Sequence, residues 1–247
     1  MQKTVVVVPC YNEASRLSAE PFLEACAASP ELSFIFVDDG SSDETFPMLR
    51  ALAQRRPAQL SVLRLEHNSG KAEAVRRGVL QAFDTAADLI GFWDADLATP
   101  LYNIERFAQA LVATGVQMVV GSRVRLLGHD IRRTALRHYT GRGFATLAAL
   151  ALRLPVYDTQ CGAKIFHANA IFREIFAEPF QLGWSFDVEL FARLLRVARR
   201  AQLDPKKVVV EVPLQEWIDA PGSKLRPHHF PRIAWELCKL FVIVRRT

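Results

Sequence analysis

The sequence predicts an α/β fold in which a mostly parallel sheet is covered by helices on both faces. Three observations predict it. Short β-branched runs alternate with helical patterns through the first half of the chain, the runs are apolar on both faces, and polar residues follow one run after another. A strand that is apolar on both faces needs cover on both sides, and parallel neighbours need crossovers, which are right-handed in nearly all folds.

Taken in order, "TVVVVP" (4–9) reads as a buried strand and "ASRLSAEPFLEACAA" (14–28) as a helix. "SFIFVDD" (33–39) is the next strand, followed by the helix "DETFPMLRALAQRR" (43–56). Ser41-x-x-Glu44 opens that helix as a capping box, in which a hydroxyl and a carboxylate each satisfy a free N–H. The series continues with strand "LSVLRLE", helix "KAEAVRRGVLQAFDTA", strand "DLIGFWD", helix "LYNIERFAQALVATG" and strand "QMVVGSRV". Beyond this the pattern changes. Residues 130–153 carry a long helical pattern with Arg132, Arg133, Arg137 and Arg142, and "VYDTQCGAKIF" follows as a loop or short strand. A helix "SFDVELFARLLRVARRA", a strand "KVVVEVPLQEW", a loop "DAPGSKLRPHH" and a last helix from Pro231 to Val244 complete the chain. No internal repeat or flexible linker interrupts it, so 1–247 is expected to be one domain.

A chain of 247 residues is long enough for a sizeable core, and 50% apolar with 23% charged residues excludes a disordered protein. The cysteines at 10, 26, 161 and 238 form no C-x-x-C pair, so neither a zinc site nor a disulfide framework is expected, and a reducing cytosol fits. No stretch reaches the roughly 18 apolar residues of a membrane span, so the chain is not expected to cross a bilayer. A net charge of +5 favours phosphate-bearing partners: nucleic acid, nucleotides or anionic lipid.

In a doubly wound sheet, ligands gather at the carboxyl ends of the strands. Asn12 and Glu13 follow the first strand, Asp38 and Asp39 the second, Asn68 to Lys71 the third, and Asp94 and Asp96 the fourth. Side chains two apart in extended chain point the same way. Asp94 and Asp96 can therefore face one cation, with small Ala95 between them letting a ligand approach. Two carboxylates completed by water and a diphosphate describe a Mg²⁺ or Mn²⁺ site. An EF-hand would start at Asp94 and end at Glu105, but Ala98 and Thr99 stand at its fifth and sixth positions, where a ligand and a glycine are required. An aspartyl-nucleophile phosphatase would carry its motif early in the fold, and here three strand-helix units precede it. The motif alone leaves open a second reading, a pair of solvated turn acids.

The motifs "VVVVPCYNEASRL", "FVDDGSSDET", "NSGKAEAVRRG", "DADLATP" and "VVGSR" occur in this order, and together they resemble the N-terminal half of the inverting family 2 glycosyltransferases of the GT-A fold. "DTQCGAKIF", "WSFDVEL" and "PGSKL" resemble the C-terminal motifs of the dolichyl-phosphate beta-glucosyltransferases, a branch with bacterial polyprenyl-phosphate relatives. The resemblance implies a nucleotide-sugar-binding half (1–125), an acceptor-binding half (126–225) and an amphipathic helix (226–247). Pro9, Tyr11 and Glu13 would line the nucleotide site, Asp39 would reach the base and Asp38 support it. Lys71 either helps hold the nucleotide or is a solvated lysine opening a helix. Asp94 would contact the ribose and metal-diphosphate region, and Asp96 would be the main metal ligand. Related mannosyl-phosphate synthases place a further ligand, a glutamine, where this chain has Ala98, so either water fills that place or the branch differs; "DADLATP" resembles the glucosyl branch more, which favours UDP-glucose over GDP-mannose.

Arg123 and Arg137 match the arginines that bind the acceptor phosphate, with Lys224 as a third candidate, and a guanidinium fork suits phosphate oxygens. Arg133 shares the face of Arg137, while Arg132 and Arg142 read as a solvated basic face. Asp187 falls where related enzymes place a catalytic or acceptor-facing acid, although an acid in the first turn of a helix also stabilises it without any chemistry. A polyprenyl acceptor implies peripheral contact at the cytoplasmic face of a membrane. Ile233, Trp235, Leu237, Leu240, Phe241 and Val244 make the last helix apolar enough for that contact or for packing on the core. Two other classes are weaker. A nucleic-acid binder has no need of acids at three strand ends, and a nucleotide-sugar sensor has little use for Arg123 and Arg137.

Overall fold

The computed structural model describes residues 2–132 and 135–218, with the backbone alone at 135–140, together with Trp235, Glu236, Lys239 and Ile243. Seven strands form the main sheet: β1 (Thr4–Cys10), β2 (Leu32–Asp38), β3 (Leu60–Arg64), β4 (Leu89–Trp93), β5 (Met118–Ser122), β7 (Ala163–His167) and β8 (Val209–Pro213). Their order is β3-β2-β1-β4-β7-β5-β8, and β7 alone among them runs antiparallel, to both β4 and β5. A short parallel pair, β6 (Asp130–Arg132) with β9 (Glu216–Ile218), lies apart.

The period of two in each strand divides the core. Val6, Val8, Phe34 and Phe36 point to the face covered by α1 (Glu20–Ala28), α2 (Thr45–Arg55) and α4 (Asn103–Thr114). Val5, Val7, Ile35 and Val37 point to the face covered by α3 (Lys71–Phe83), α5 (Ala135–Leu152), α6 (Ala170–Ala177) and α7 (Phe186–Arg200). Each of these side chains is at most 4% exposed, and such burial stabilises by about 1.5–3 kcal/mol per large side chain. The sheet must therefore be two-sided, as its sequence predicts. Cys10, Cys26 and Cys161 are buried free thiols.

Five details differ from the sequence expectation. The first helix begins at Glu20 rather than Ala14, because Pro21 suits the first turn of a helix and residues 14–16 are taken up by a turn closed on Glu13. Ser41 and Glu44 form no capping box: Ser41 accepts from Asn12 N–H, and the turn before α2 is held by Asp43, whose carboxylate accepts from Thr45 N–H at 3.0 Å. The arginine-rich segment is not one helix, since 130–132 pair as β6 and α5 starts at Ala135. "VYDTQCGAKIF" ends as the antiparallel β7, and helix α6 follows it without having been anticipated. Residues 207–217 divide between a 3-10 turn, β8 and β9, which belong to different sheets.

Candidate active site

The strand order turns back at β1: the chain winds outward to β2 and β3, then crosses to β4 on the other side. The loops after β1 and β4 consequently diverge and leave a crevice at the carboxyl edge. Every acid singled out in the first half of the sequence lies along this edge.

The loop after β1 is tied to the loop after β2. Asn12, with φ of 49°, adopts the left-handed conformation that asparagine tolerates. Its N–H donates to Ser41 Oγ, and its Oδ1 accepts from Ser42 N–H, both at 3.0 Å. Glu13 N–H donates to Thr45 Oγ1 at 2.7 Å, while its buried carboxylate takes the fork of Arg16 at 2.8–3.0 Å. Pro9 pairs with Val37 in the sheet, and Tyr11 is half-buried at the crevice. Asp38 is fully buried, with Oδ1 accepting from Ser41 N–H and Oδ2 facing Arg64 Nε at 3.5 Å. Asp39 accepts from Ser69 and Gly70 N–H at 2.8 and 2.9 Å. Burial raises its pKa against those two bonds, and the charge of Asp38 adds to the rise.

Those bonds fix where α3 begins and so where Lys71 stands. Its ammonium pairs with Asp94. Burial disfavours the charge, but Asp94, Asp187 and Asp96 more than offset it and hold the lysine above its ordinary pKa. Lys71 is thus paired within the acidic cluster although its side chain remains 40% exposed. Next to it, Trp93 is fully buried and anchors the 94–99 loop by donating from Nε1 to Thr99 O at 2.7 Å. Leu97 takes φ of 51°, a strained turn for a non-glycine residue, secured by Leu97 N–H to Asp94 O and Ala98 N–H to Asp96 Oδ1. Asp96 is exposed, yet the protein around its carboxylate and the like charge of Asp94 raise its pKa. Ala95 is buried between the two acids.

Further along the edge, charges meet opposite charges. Arg123 forms a two-pronged pair with Asp158, both bonds at 2.7 Å, and lies over the Trp217 ring. Glu211 accepts from Tyr157 and Asp158 N–H at 2.8 Å, which sets that turn. A pocket opens here, lined by Arg123, Arg142, Phe144, Tyr157, Thr159 and Gln160 among others. Arg142 stacks on Tyr157 at 3.8 Å and has no carboxylate partner among the described residues; Thr159 Oγ1 is buried without a hydrogen-bond partner among them. Arg142 therefore belongs to this pocket and not to a solvated face, whereas Arg132 is exposed and paired with Asp130. Asp187, in the first turn of α7, is 4% exposed and bound by the fully buried Lys164 at 2.5 Å. The side chains of Arg133 and Arg137, and all of Lys224, lie outside the described residues.

The family model described as Glycosyl transferase family 2 matches residues 5–178. The chain belongs to glycosyl transferase family 2. Among its family 2 relatives, a dolichyl-phosphate beta-glucosyltransferase of Trichomonas vaginalis is 33% identical over 98% of this chain and 72% of its own length. One from Saccharomyces cerevisiae is 31% identical over 89% of this chain and 68% of its own. Among solved structures, glucosyl-3-phosphoglycerate synthase from Mycobacterium tuberculosis, crystallised with Mn²⁺, UDP and glucosyl-3-phosphoglycerate, superposes with a TM-score of 0.61 at 20% identity, covering 98% of this chain and 78% of that one. The GT-A fold expected from the motifs is the fold observed.

Several contacts around the site escape a reading of the sequence: Gly162 against Asp94, Lys164 on Asp187, Asp158 as the partner of Arg123, and Glu236, whose carboxylate accepts from Ser185 N–H and Oγ at 2.9 and 2.6 Å. A lysine inside the apolar run "AKIF" was the available signal for Lys164. Glu236 and Ile243 face the body of the protein while Trp235 is 62% exposed, so the described part of the last helix both packs and presents an apolar side chain.

Proposed function

We propose that this chain is an inverting glycosyltransferase that moves glucose from UDP-glucose to a polyprenyl phosphate, dolichyl or undecaprenyl, giving a lipid-phosphate-sugar. The observation that carries the reading is the pairing of Lys71 with Asp94, two residues from Asp96, at the crevice of a chain that matches dolichyl-phosphate beta-glucosyltransferases over nearly its whole length. In the reaction the bond from the anomeric carbon to UDP breaks as one forms to an oxygen of the acceptor phosphate. That phosphate is largely ionised at neutral pH, so no strong base is required and positioning does most of the work.

The acids fit a divalent cation. Among the described residues no three His, Cys, Asp or Glu side chains converge on one point, so Asp94 and Asp96 supply two hard oxygens and the diphosphate and water complete the set, as Mg²⁺ and Mn²⁺ prefer. A cation held by Asp94 and Asp96 would stabilise the negative charge that develops on the departing UDP. Lys71 turns its ammonium from Asp94 toward the diphosphate. Asp39, with Asp38 behind it, lies beside the base, while Pro9, Tyr11, Glu13 and Ala95 wall the nucleotide. On the acceptor side Arg123 is neutralised by Asp158 and shapes the pocket, and Arg142, with Thr159 Oγ1, meets the phosphate. Arg137 and Lys224 are assigned to the same phosphate by the family resemblance alone, since the Arg137 side chain and Lys224 lie outside the described residues.

No helix among the described residues is long and apolar enough to cross a membrane. Exposed Leu126, Leu127, Leu147, Leu150 and Trp235 support peripheral contact with the cytoplasmic face of a bilayer. The test is direct: incubate the protein with labelled UDP-glucose, Mg²⁺ or Mn²⁺ and a polyprenyl phosphate, and follow label into the organic phase. Transfer from UDP-glucose supports the reading. Transfer from GDP-mannose alone reassigns the donor, and nucleotide binding with no transfer to any lipid phosphate overturns it.

A further inference from the structure

The antiparallel strand β7 starts where its parallel neighbours end, so its first residues lie at the same edge as the acids. Trp93 pairs with Ala163 and Gly91 with Ile165. The contact is unusually close at both glycines. A Cβ on Gly91 would stand 2.5 Å from Lys164 O, and Asp94 N–H donates to Gly162 O at 3.1 Å. A Cβ on Gly162 would stand 1.8 Å from Asp94 Oδ2, 2.2 Å from Cγ and 2.7 Å from Oδ1. The backbone of Gly162 is not left-handed, so alanine is tolerable there conformationally. The three atoms nearest to that Cβ all belong to the Asp94 carboxylate.

Two residues on, Lys164 is fully buried and lies 5.1 Å from the Phe92 ring centroid. Its Nζ donates to Cys161 O at 2.6 Å and to Asp187 Oδ1 at 2.5 Å. A buried ammonium is costly and persists only when paired; such pairs contribute little net stability and fix geometry instead. The pair here joins β7 to the first turn of α7. Gly162 and Lys164 are two residues apart in the chain, so one short segment touches both Asp94 and Asp187 although the two acids come from separate elements.

We infer that Gly162 and Lys164 are positioning residues of the transfer site: Gly162 seats the Asp94 carboxylate by omitting a side chain, and Lys164 fixes Asp187, so that a single strand sets the spacing of both acids. This rests on the proposed reading of the crevice as a sugar-transfer site, and the test has an arm that does not. In ligand-free protein, Gly162→Ala lowers Tm by about 2 to 4 °C, because the methyl forces the partly exposed Asp94 carboxylate to shift and loosens its pair with Lys71. In an Asp94→Ala background the same substitution costs almost nothing. Equal losses in both backgrounds overturn the steric claim, whatever the protein's activity. With Mn²⁺ present, Gly162→Ala weakens UDP binding at least tenfold; wild-type affinity and turnover in this variant overturn the role. Lys164→Met lowers both Tm and kcat, and Lys164→Met/Asp187→Asn, which removes both charges, regains Tm but not kcat, with KM for the donor within twofold of wild type. Should the double variant regain kcat together with Tm, the pair is structural only and the assignment of Lys164 fails.

Discussion

Asp39 and Asp158 stand toward opposite ends of the same sheet edge and are held in different ways. Asp39 is gripped by the N–H groups of Ser69 and Gly70, whereas Asp158 is gripped by the guanidinium of Arg123. The difference extends to their neighbours. On the β1 to β4 side Glu13 is closed by Arg16, but Asp96 accepts from the backbone and the Lys71–Asp94 pair is open to solvent. On the β5 to α7 side, the charges are closed into pairs: Arg123 with Asp158, Lys164 with Asp187, Arg193 with Glu189. An acid held by dipoles keeps its net charge and attracts a cation, while a paired acid is neutral at a distance and serves as framework. On the proposed reading the first side takes up metal and diphosphate, and the second holds a shaped wall around an anionic acceptor.

That contrast can be broken from either side. The largest expected effect is on the open side. Asp96→Ala should reduce transfer by about a thousandfold, the scale of lost charge stabilisation at a departing group, while denaturant midpoints stay within about 0.5 kcal/mol because the residue is exposed. On the paired side the effect should invert. Asp158→Ala leaves Arg123 buried without a partner, with side-chain exposures of 15% and 9% before the change, and should cost about 3–5 kcal/mol in urea unfolding. If Asp158→Ala is as stable as wild type, that side is not framework. Arg142→Ala should raise KM for the lipid phosphate about tenfold, near the 1.4 kcal/mol of one charge-assisted bond, and leave UDP affinity alone. The smallest effect is expected at Trp235, where Trp235→Ala should weaken binding to anionic vesicles by only a few fold, as one of several exposed apolar side chains.

The same contrast decides what the sequence made legible. Acids at strand ends follow from topology, and topology follows from local periodicity, so Asp38, Asp39, Asp94 and Asp96 could be placed on one edge from their positions alone. The partners on the other side are fixed by contacts distant in sequence: Lys164 and Asp187 are 23 residues apart, Arg123 and Asp158 35, Ser185 and Glu236 51. No local period encodes them. Gly162 is the clearest case, since its part is played by an absent atom facing a residue of another strand. The direction of β7 was equally hidden, because five apolar-rich residues pair in either sense. The resemblance to family 2 motifs supplied Arg123 and Asp187 as site residues, but not that each is already engaged by an opposite charge.

The most direct measurement is calorimetric titration of UDP into the wild-type protein and into Asp96→Ala, each with and without Mn²⁺. The account predicts that Mn²⁺ tightens UDP binding to the wild type at least tenfold and leaves Asp96→Ala unmoved. Equal UDP affinity with and without the ion in the wild type, or full Mn²⁺ enhancement in the variant, would contradict it.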